Sequence, residues 1–398
     1  MHALTDDEVR ELRGQFPALE RYTYFTPNGL GVLPLRSLEA LRTRLDGLAR
    51  NAIVAALFEN APLVDEARAR VARLLGCDST EVAFCRNTSE GVLWAATSLS
   101  LQPSDEVLVA QGEYPANVLP WMAQESRGVV TRLLTQRQRR VTPEMVADEW
   151  SARTRLLAVS FVQYNSGFRA DLSGLAEAVH TRGGLLFCDA IQGLGALRLD
   201  VRESAVDVLA AGTHKWLLGL QGLGVFYCRR DLLPELAATH VATGSLLVDR
   251  DPEDPDAAYD RTLVDEARRY EEGSRNYIGI AALNESLRLI EEIGIERIEA
   301  RIHELTDYLV HEVERRGGRV ESPRGASPRG AGEWSGIVLF APPQPGPSAS
   351  ELVSAMHAQR ITINAREGCI HMGVHFYNTR EEIDRVLRVM DESRQSTS

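Results

Sequence analysis

The sequence predicts an α/β fold with a mostly parallel sheet, and three observations carry that expectation. Short apolar runs of buried-strand type alternate with segments of helical periodicity, as in a sheet covered on both faces. Two of the runs end beside a chemically active side chain, and strand carboxyl ends are where open α/β sheets bind ligands. At 398 residues, the chain is also too long for a single small domain.

Taken in order, residues 81–85 read as a strand that runs through Arg86-Asn87-Thr88-Ser89-Glu90-Gly91 into a helix containing residues 92–96. Thr88 and Ser89 are either an ordinary helix cap or hydroxyls added to a phosphate-binding helix N-terminus, with its free amides and positive dipole end. A strand at 106–109 follows, and then a turn in which Tyr114 reads as an aromatic plug. Residues 156–160 form a buried strand and 172–182 a helix; the next strand, 185–188, is closed by Asp189. The run 206–212 is another strand, Lys215 lies just beyond it, and a glycine-rich stretch at 219–224 leads into a strand at 225–228. A long helix begins after Asn276, with apolar residues at helical spacing from 279 to 293. Residues 317–332, where Ser-Pro-Arg-Gly starts at both Ser322 and Ser327, read as loop or disorder, as do 341–350.

Of the 44 lysines and arginines, Lys215 is the only lysine. Codon bias with one chance survivor would account for it, and so would a need for an amine. Arginine cannot lose its proton in a protein, whereas a desolvated lysine can, and the free amine attacks carbonyls. Lys215 and Asp189, at two strand ends, are what pyridoxal phosphate requires: an amine for a Schiff base and a carboxylate facing the pyridine nitrogen.

Three segments, Asp189-Ala190-Ile191-Gln192, Gly212-Thr213-His214-Lys215-Trp216 and Glu272-Gly273-Ser274-Arg275-Asn276, resemble in order and spacing the class V aminotransferase group of fold-type I pyridoxal phosphate enzymes. That group includes cysteine desulfurases, kynureninase and isopenicillin N epimerase-like proteins. The resemblance runs from Tyr24-Phe25-Thr26-Pro27-Asn28-Gly29 to His375-Phe376-Tyr377-Asn378-Thr379. It implies a large domain over residues 22–265, built on a mostly parallel seven-stranded sheet. Residues 1–21 and 266–398 would form a smaller α+β domain. It implies further that Lys215 carries the cofactor, that Asp189 pairs with the pyridine nitrogen, and that Gln192 lies near the phenolic oxygen. Thr88, Ser89 and His214 would lie near the phosphate, and Tyr114 stands where desulfurases carry a ring-stacking histidine. Ser274 and Asn276 would reach the phosphate of a neighbouring subunit, giving a homodimer with composite sites.

The departures bear on the reaction. The desulfurase nucleophile is a cysteine on a mobile loop well before a carboxylate-binding arginine; here Cys369 lies two residues before His371, which occupies the arginine's place. Arg366, Arg275 or Arg169 could supply a guanidinium instead, or each is a solvated surface residue. Asn28, Asn165, Arg275, Arg366 and His371 are the candidate substrate contacts, with substrate choice set by loops around Leu30, Phe58, Asn165 and Arg275. The substrate expected is a small α-amino acid. The reading put first is a carbon-sulfur lyase of secondary metabolism acting on a cysteine conjugate. A decarboxylating deaminase comes second, an epimerase or aminotransferase third, and a catalytically silent binding protein stands as the alternative from another class.

Composition excludes other classes. A net charge of −12 disfavours nucleic acid as a partner, and the arginines between 319 and 329 read as a local surface excursion. No run is long enough to span a membrane, and the charged start is unlike a signal peptide. Five cysteines without a CxxC pair suggest buried thiols of a cytoplasmic protein. No GxGxxG follows a strand, and His371 and His375 flank strand-like sequence, so neither a nicotinamide cofactor nor a metal is expected.

Overall fold

The computed structural model describes residues 2–237, 239–246, 262–325 and 332–395. Helix α1 (Asp6–Arg13) opens on a capping box between Thr5 and Glu8, and is followed by β1 (Thr23–Tyr24), α2 (Leu35–Asn51) and α3 (Ile53–Leu75). The central sheet contains β2 (Val82–Cys85), β3 (Glu106–Ala110), β4 (Val130–Leu134), β5 (Thr154–Ser160), β6 (Leu185–Asp189), β7 (Val208–Gly212) and β8 (Gly224–Cys228). Between its strands run α4 (Thr88–Ser98), α5 (Leu119–Met122), α6 (Pro143–Glu149) and α7 (Leu172–His180). The strand order is β2-β8-β7-β6-β5-β3-β4, parallel throughout except for β8, which is antiparallel to both neighbours. This is the mostly parallel seven-stranded sheet that was expected.

The strands read as unbroken apolar runs because both faces are covered. Leu157, Val159, Leu186, Leu209 and Val225 pack into one buried cluster, and the alternate residues Leu156, Ala158, Phe187, Val208 and Phe226 into another. Each fully buried Leu, Val or Phe contributes roughly 1.5–3 kcal/mol. Edge strand β4, which the sequence reading does not single out, has only Leu134 buried, so its pattern is neither an apolar run nor a strict alternation.

Beyond the sheet come α8 (Tyr277–Ile293), α9 (Ile295–Arg315), β9 (Arg319–Val320), β10 (Ile337–Ala341), α10 (Ala349–Ala358), β11 (Ile361–Thr362), β12 (Asn364–Arg366), β13 (Cys369–Gly373) and α11 (Arg380–Gln395). A four-stranded antiparallel sheet, β12-β13-β10-β9, encloses a third core with Leu305, Leu309, Met356 and Leu387. The N-terminal segment joins this region: β1 pairs in parallel with β11, and Arg13 donates to the Tyr377 carbonyl at 2.7 Å. Helix α8 packs on α2 and α3, and Ile280, Leu283, Leu287 and Ile290 share a buried cluster with residues of the seven-stranded sheet. Residues 319–320, expected as loop, pair with β10, and the second Ser-Pro-Arg-Gly, from Ser327, lies outside the described residues.

Candidate active site

Strands β6 and β7 are hydrogen-bonded neighbours, with Asp189 opposite Ala210 in their register. The end of β6 and the turn after β7 therefore reach the same place. Asp189 is 2% exposed, and its Oδ1 accepts from Ile191 N at 3.0 Å; the other oxygen has no hydrogen bond among the described residues. Burial raises its pKa, the backbone donor opposes the rise, Glu113 adds to it, and Lys215 acts against it. Burial lowers the pKa of Lys215, and Asp189 resists that shift. Burial thus makes this amine easier to deprotonate than a solvated lysine, while Asp189 holds part of the proton affinity back.

The backbone of Lys215 is gripped on both sides. Thr213 Oγ1 donates to the Leu220 carbonyl at 2.9 Å, and buried Trp216 donates from Nε1 to Gln192 Oε1 at 2.9 Å. On the other side Gly31 N donates to the His214 carbonyl at 2.7 Å, and a Cβ on Gly31 would meet the Lys215 carbonyl oxygen at 2.1 Å. Only glycine permits that approach.

Helix α4 points its N-terminus at the same cavity. Its cap is Asn87, whose side chain accepts from Glu90 N at 2.9 Å, so Thr88 and Ser89 belong to the first turn and are not the cap. Thr88 Oγ1 accepts from Gly212 N at 2.8 Å, tying the helix start to the end of β7. The cavity, of about 370 Å³, is lined by Asn28, Thr88, Ser89, Tyr114, Asp189 and Gln192, and also by His214, Lys215, Arg366 and His371. A larger hollow of about 610 Å³ beside α6 and α7 contains neither Lys215 nor Asp189, so chemistry and not volume selects the site.

Tyr114 is 51% exposed, and its ring centroid lies 5.9 Å from Lys215 Nζ. It meets Tyr164 edge to face, with centroids 5.2 Å apart, and the Arg366 guanidinium lies 4.8 Å from the centre of the Tyr164 ring. His371 Nδ1 is 3.1 Å from Asn28 Nδ2. Burial pushes His371 down to about 4, and Arg366 pushes the same way, so the imidazole is neutral at ordinary pH. His375 is occupied elsewhere: Nδ1 accepts from Phe376 N at 2.8 Å, and Nε2 is 3.2 Å from the Trp216 carbonyl.

Other candidates lie outside this cavity. Ser274, Arg275 and Asn276 line a separate hollow with Arg86 and Gly222. Within it Arg275 is paired with buried Glu271, which also binds Arg68, and Asn276 caps α8 through Gly279 N at 2.8 Å. Arg169 pairs with Glu299 at 2.7 Å and is thereby committed to α9. Asn165 does not line the cavity, and Phe58 lies within α3 rather than in a loop. Sequence reading missed Tyr164, Asn87 and Asn364, all three of which line it. Asn87 was visible as a capping residue just before the helix; Tyr164 carried no comparable signal.

The aminotransferase class-V family matches residues 26–330. An isopenicillin N epimerase of Streptomyces clavuligerus is 31% identical over 378 residues, covering 91% of this chain and 92% of the epimerase. A probable cysteine desulfurase of Aeropyrum pernix is 28% identical over 413 residues, covering 96% of this chain and 97% of its own. Among solved structures, an apo cysteine desulfurase from Thermococcus onnurineus NA1 superposes with a TM-score of 0.85 at 22% identity, covering 100% of both chains. A cystine C-S lyase in complex with its reaction product, cysteine persulfide, gives 0.85 at 23% identity, covering 95% of this chain and 99% of the lyase. These structural likenesses establish a common fold.

Proposed function

We propose, on the premise that the chain belongs to the class V aminotransferase family, that it is a pyridoxal phosphate-dependent carbon-sulfur lyase cleaving an S-substituted cysteine by β-elimination. The residues fit the cofactor. A buried carboxylate with one oxygen free of hydrogen bonds among the described residues, the chain's only lysine and an open helix N-terminus meet in one cavity. Lys215 and Asp189 would hold its two reactive ends, Thr88, Ser89 and His214 its phosphate, and Tyr114 would cover the ring. Gln192 is fixed between Asn28 and Trp216 and would stand beside the phenolic oxygen. When bound, the cofactor supplies an electron-accepting ring.

The chain's own groups perform the remaining tasks. Arg366 offers two parallel N–H donors to the substrate carboxylate and fixes the Cα–H bond in place. Lys215 Nζ, whose proton affinity is lowered by burial, accepts the proton from Cα. The Cβ–S bond then breaks, its electron pair leaves on sulfur, and with one water taken up the products are a thiol, pyruvate and ammonia. The observation that carries this reading is a cavity holding both Lys215 and Arg366 with no cysteine among its lining residues. Among the described residues no cysteine that could form a persulfide lines the cavity, while a guanidinium able to bind a carboxylate does.

The test is to load purified protein with pyridoxal phosphate and supply S-methyl-L-cysteine. Methanethiol and pyruvate in equal amounts are expected, together with a visible band that Lys215→Ala abolishes. Carbon dioxide with an aldehyde, or an amino acid returned with inverted configuration, would overturn the elimination reading.

The hollow around Ser274 and Asn276 supports a second part of the proposal, a homodimer in which these residues complete the partner subunit's phosphate site. Light scattering at a monomer mass under loaded conditions would refute it.

A further inference from the structure

Glu113 is a buried carboxylate that raises the proton affinity of Asp189 but touches no group assigned a role in the chemistry above. It is 5% exposed, and burial pushes its pKa upward. Its Oε1 accepts from Ser160 N at 2.6 Å and from Gln163 Nε2 at 2.5 Å, and the Ser160 hydroxyl donates to Oε2. Three donors on one carboxylate bring two loops together. The loop after β3 carries Glu113 and, next to it, Tyr114. The loop after β5 carries Gln163 and, next to it, Tyr164. Those two tyrosines form the edge-to-face pair on the cavity wall, and Tyr164 supports the Arg366 guanidinium.

The second loop is a tight turn. Gln163 N donates to the Phe168 carbonyl and Gly167 N to the Gln163 carbonyl, both at 2.8 Å. Its far side is held by the smaller sheet's region, where Ser335 Oγ donates to the Gly167 carbonyl at 2.7 Å. Glu113 supplies the contact on the near side. Without that contact Gln163 would lose the partner of its amide, and Tyr164 would be anchored from one direction alone.

We propose that Glu113 is a positioning residue that fixes the Tyr114–Tyr164 wall, and through Tyr164 the Arg366 guanidinium, for binding of an amino-acid carboxylate. The carboxylate-binding part rests on the function proposed above. Glu113→Gln keeps the geometry, since its amide oxygen accepts from Ser160 N and Gln163 Nε2 and its N–H donates to Ser160 Oγ. Glu113→Ala removes all three bonds, and Gln163→Met removes one while leaving the others intact.

Two measurements test it. In cofactor-free protein, hydrogen exchange of residues 163–168 should quicken about tenfold in Glu113→Ala and less in Gln163→Met, while Glu113→Gln matches the parent. In loaded protein, KM for S-methyl-L-cysteine should rise about tenfold in Glu113→Ala with kcat nearly unchanged, and Glu113→Gln should restore it. Unchanged exchange in both Glu113→Ala and Gln163→Met overturns the proposal, as does a Glu113→Gln protein as impaired as Glu113→Ala. If Glu113→Ala does not fold, Gln163→Met decides by the same readouts. A parent protein that shows no turnover of the probe counts against the proposed function, whereas the exchange result stands independently of it.

Discussion

The two walls of the cavity are built differently. On the central-sheet side, Asp189 and Lys215 sit at the ends of adjacent strands, and a one-residue shift of register in either would carry its side chain out of the site. On the hairpin side, β12 and β13 bring Arg366, which rests on Tyr164, and His371, which is neutral and paired with Asn28. The first wall carries a carboxyl and an amine held in a dry place, where each shifts the other's proton affinity. The second carries one fixed cation beside a neutral group. On the proposed function, chemistry depends on the first wall and recognition on the second, so changes to the two should be felt in different constants.

The largest effect is expected from Lys215→Arg, which keeps the charge and removes the titratable amine. Activity should fall by on the order of 10²–10⁴-fold with little change in thermal stability. A variant with near-parental turnover would erase the distinction between the walls.

His371 gives the next effect, one of stability. The folded chain holds its imidazole down to about 4, against an ordinary 6.5, so the unfolded chain takes up the proton first as pH falls. Its contribution is therefore complete above 6.5 and is lost on going down towards 4, by about 3 kcal/mol in total. His375, also pushed down to about 4 by burial, adds a second loss of the same sign. Asp189 and Glu113, raised by burial, act with the opposite sign in that window, so the difference between parent and His371→Gln is the quantity to follow. Urea unfolding at neutral pH and at about pH 4.5 should show a smaller acid loss in the variant; equal losses would show that His371 is not held neutral.

Arg366→Met should raise KM for S-methyl-L-cysteine by roughly 10–100-fold, as expected for a charged hydrogen-bond donor lost from a substrate contact. A purely catalytic defect at unchanged KM would move Arg366 from the recognition wall to the chemical one. Asn87→Ala, which removes the α4 cap, is the smallest expected effect, a loss of about 1 kcal/mol measured by thermal unfolding.

The same contrast describes what sequence alone discloses. Asp189 and Lys215 were legible because each follows a short apolar run, and a run buried on both faces announces a central strand and its end. The helix start points to Thr88 and Ser89, which line the cavity, although the cap itself is Asn87. The guanidinium candidates could not be sorted, because sorting depends on distant partners. Arg169 is taken by Glu299 and Arg275 shares Glu271 with Arg68, pairings formed only when α9 and α3 pack. Tyr164 was invisible for a related reason. The turn that presents it has no periodicity of its own and is shaped by Glu113 on one side and by the backbone of Ile337 on the other. A Cβ on Gly167 would meet the Ile337 carbonyl oxygen at 2.2 Å.

Gly31, seated against the Lys215 carbonyl, ties the start of the chain to its chemistry. The segment that carries it is anchored through β1 to β11, residues far away in the sequence. The lysine turn thus packs against a segment held by a pairing of long sequence separation, a kind of contact that is among the slower to form. The surroundings of the amine therefore depend on segments far from it in sequence, and not on the lysine turn alone.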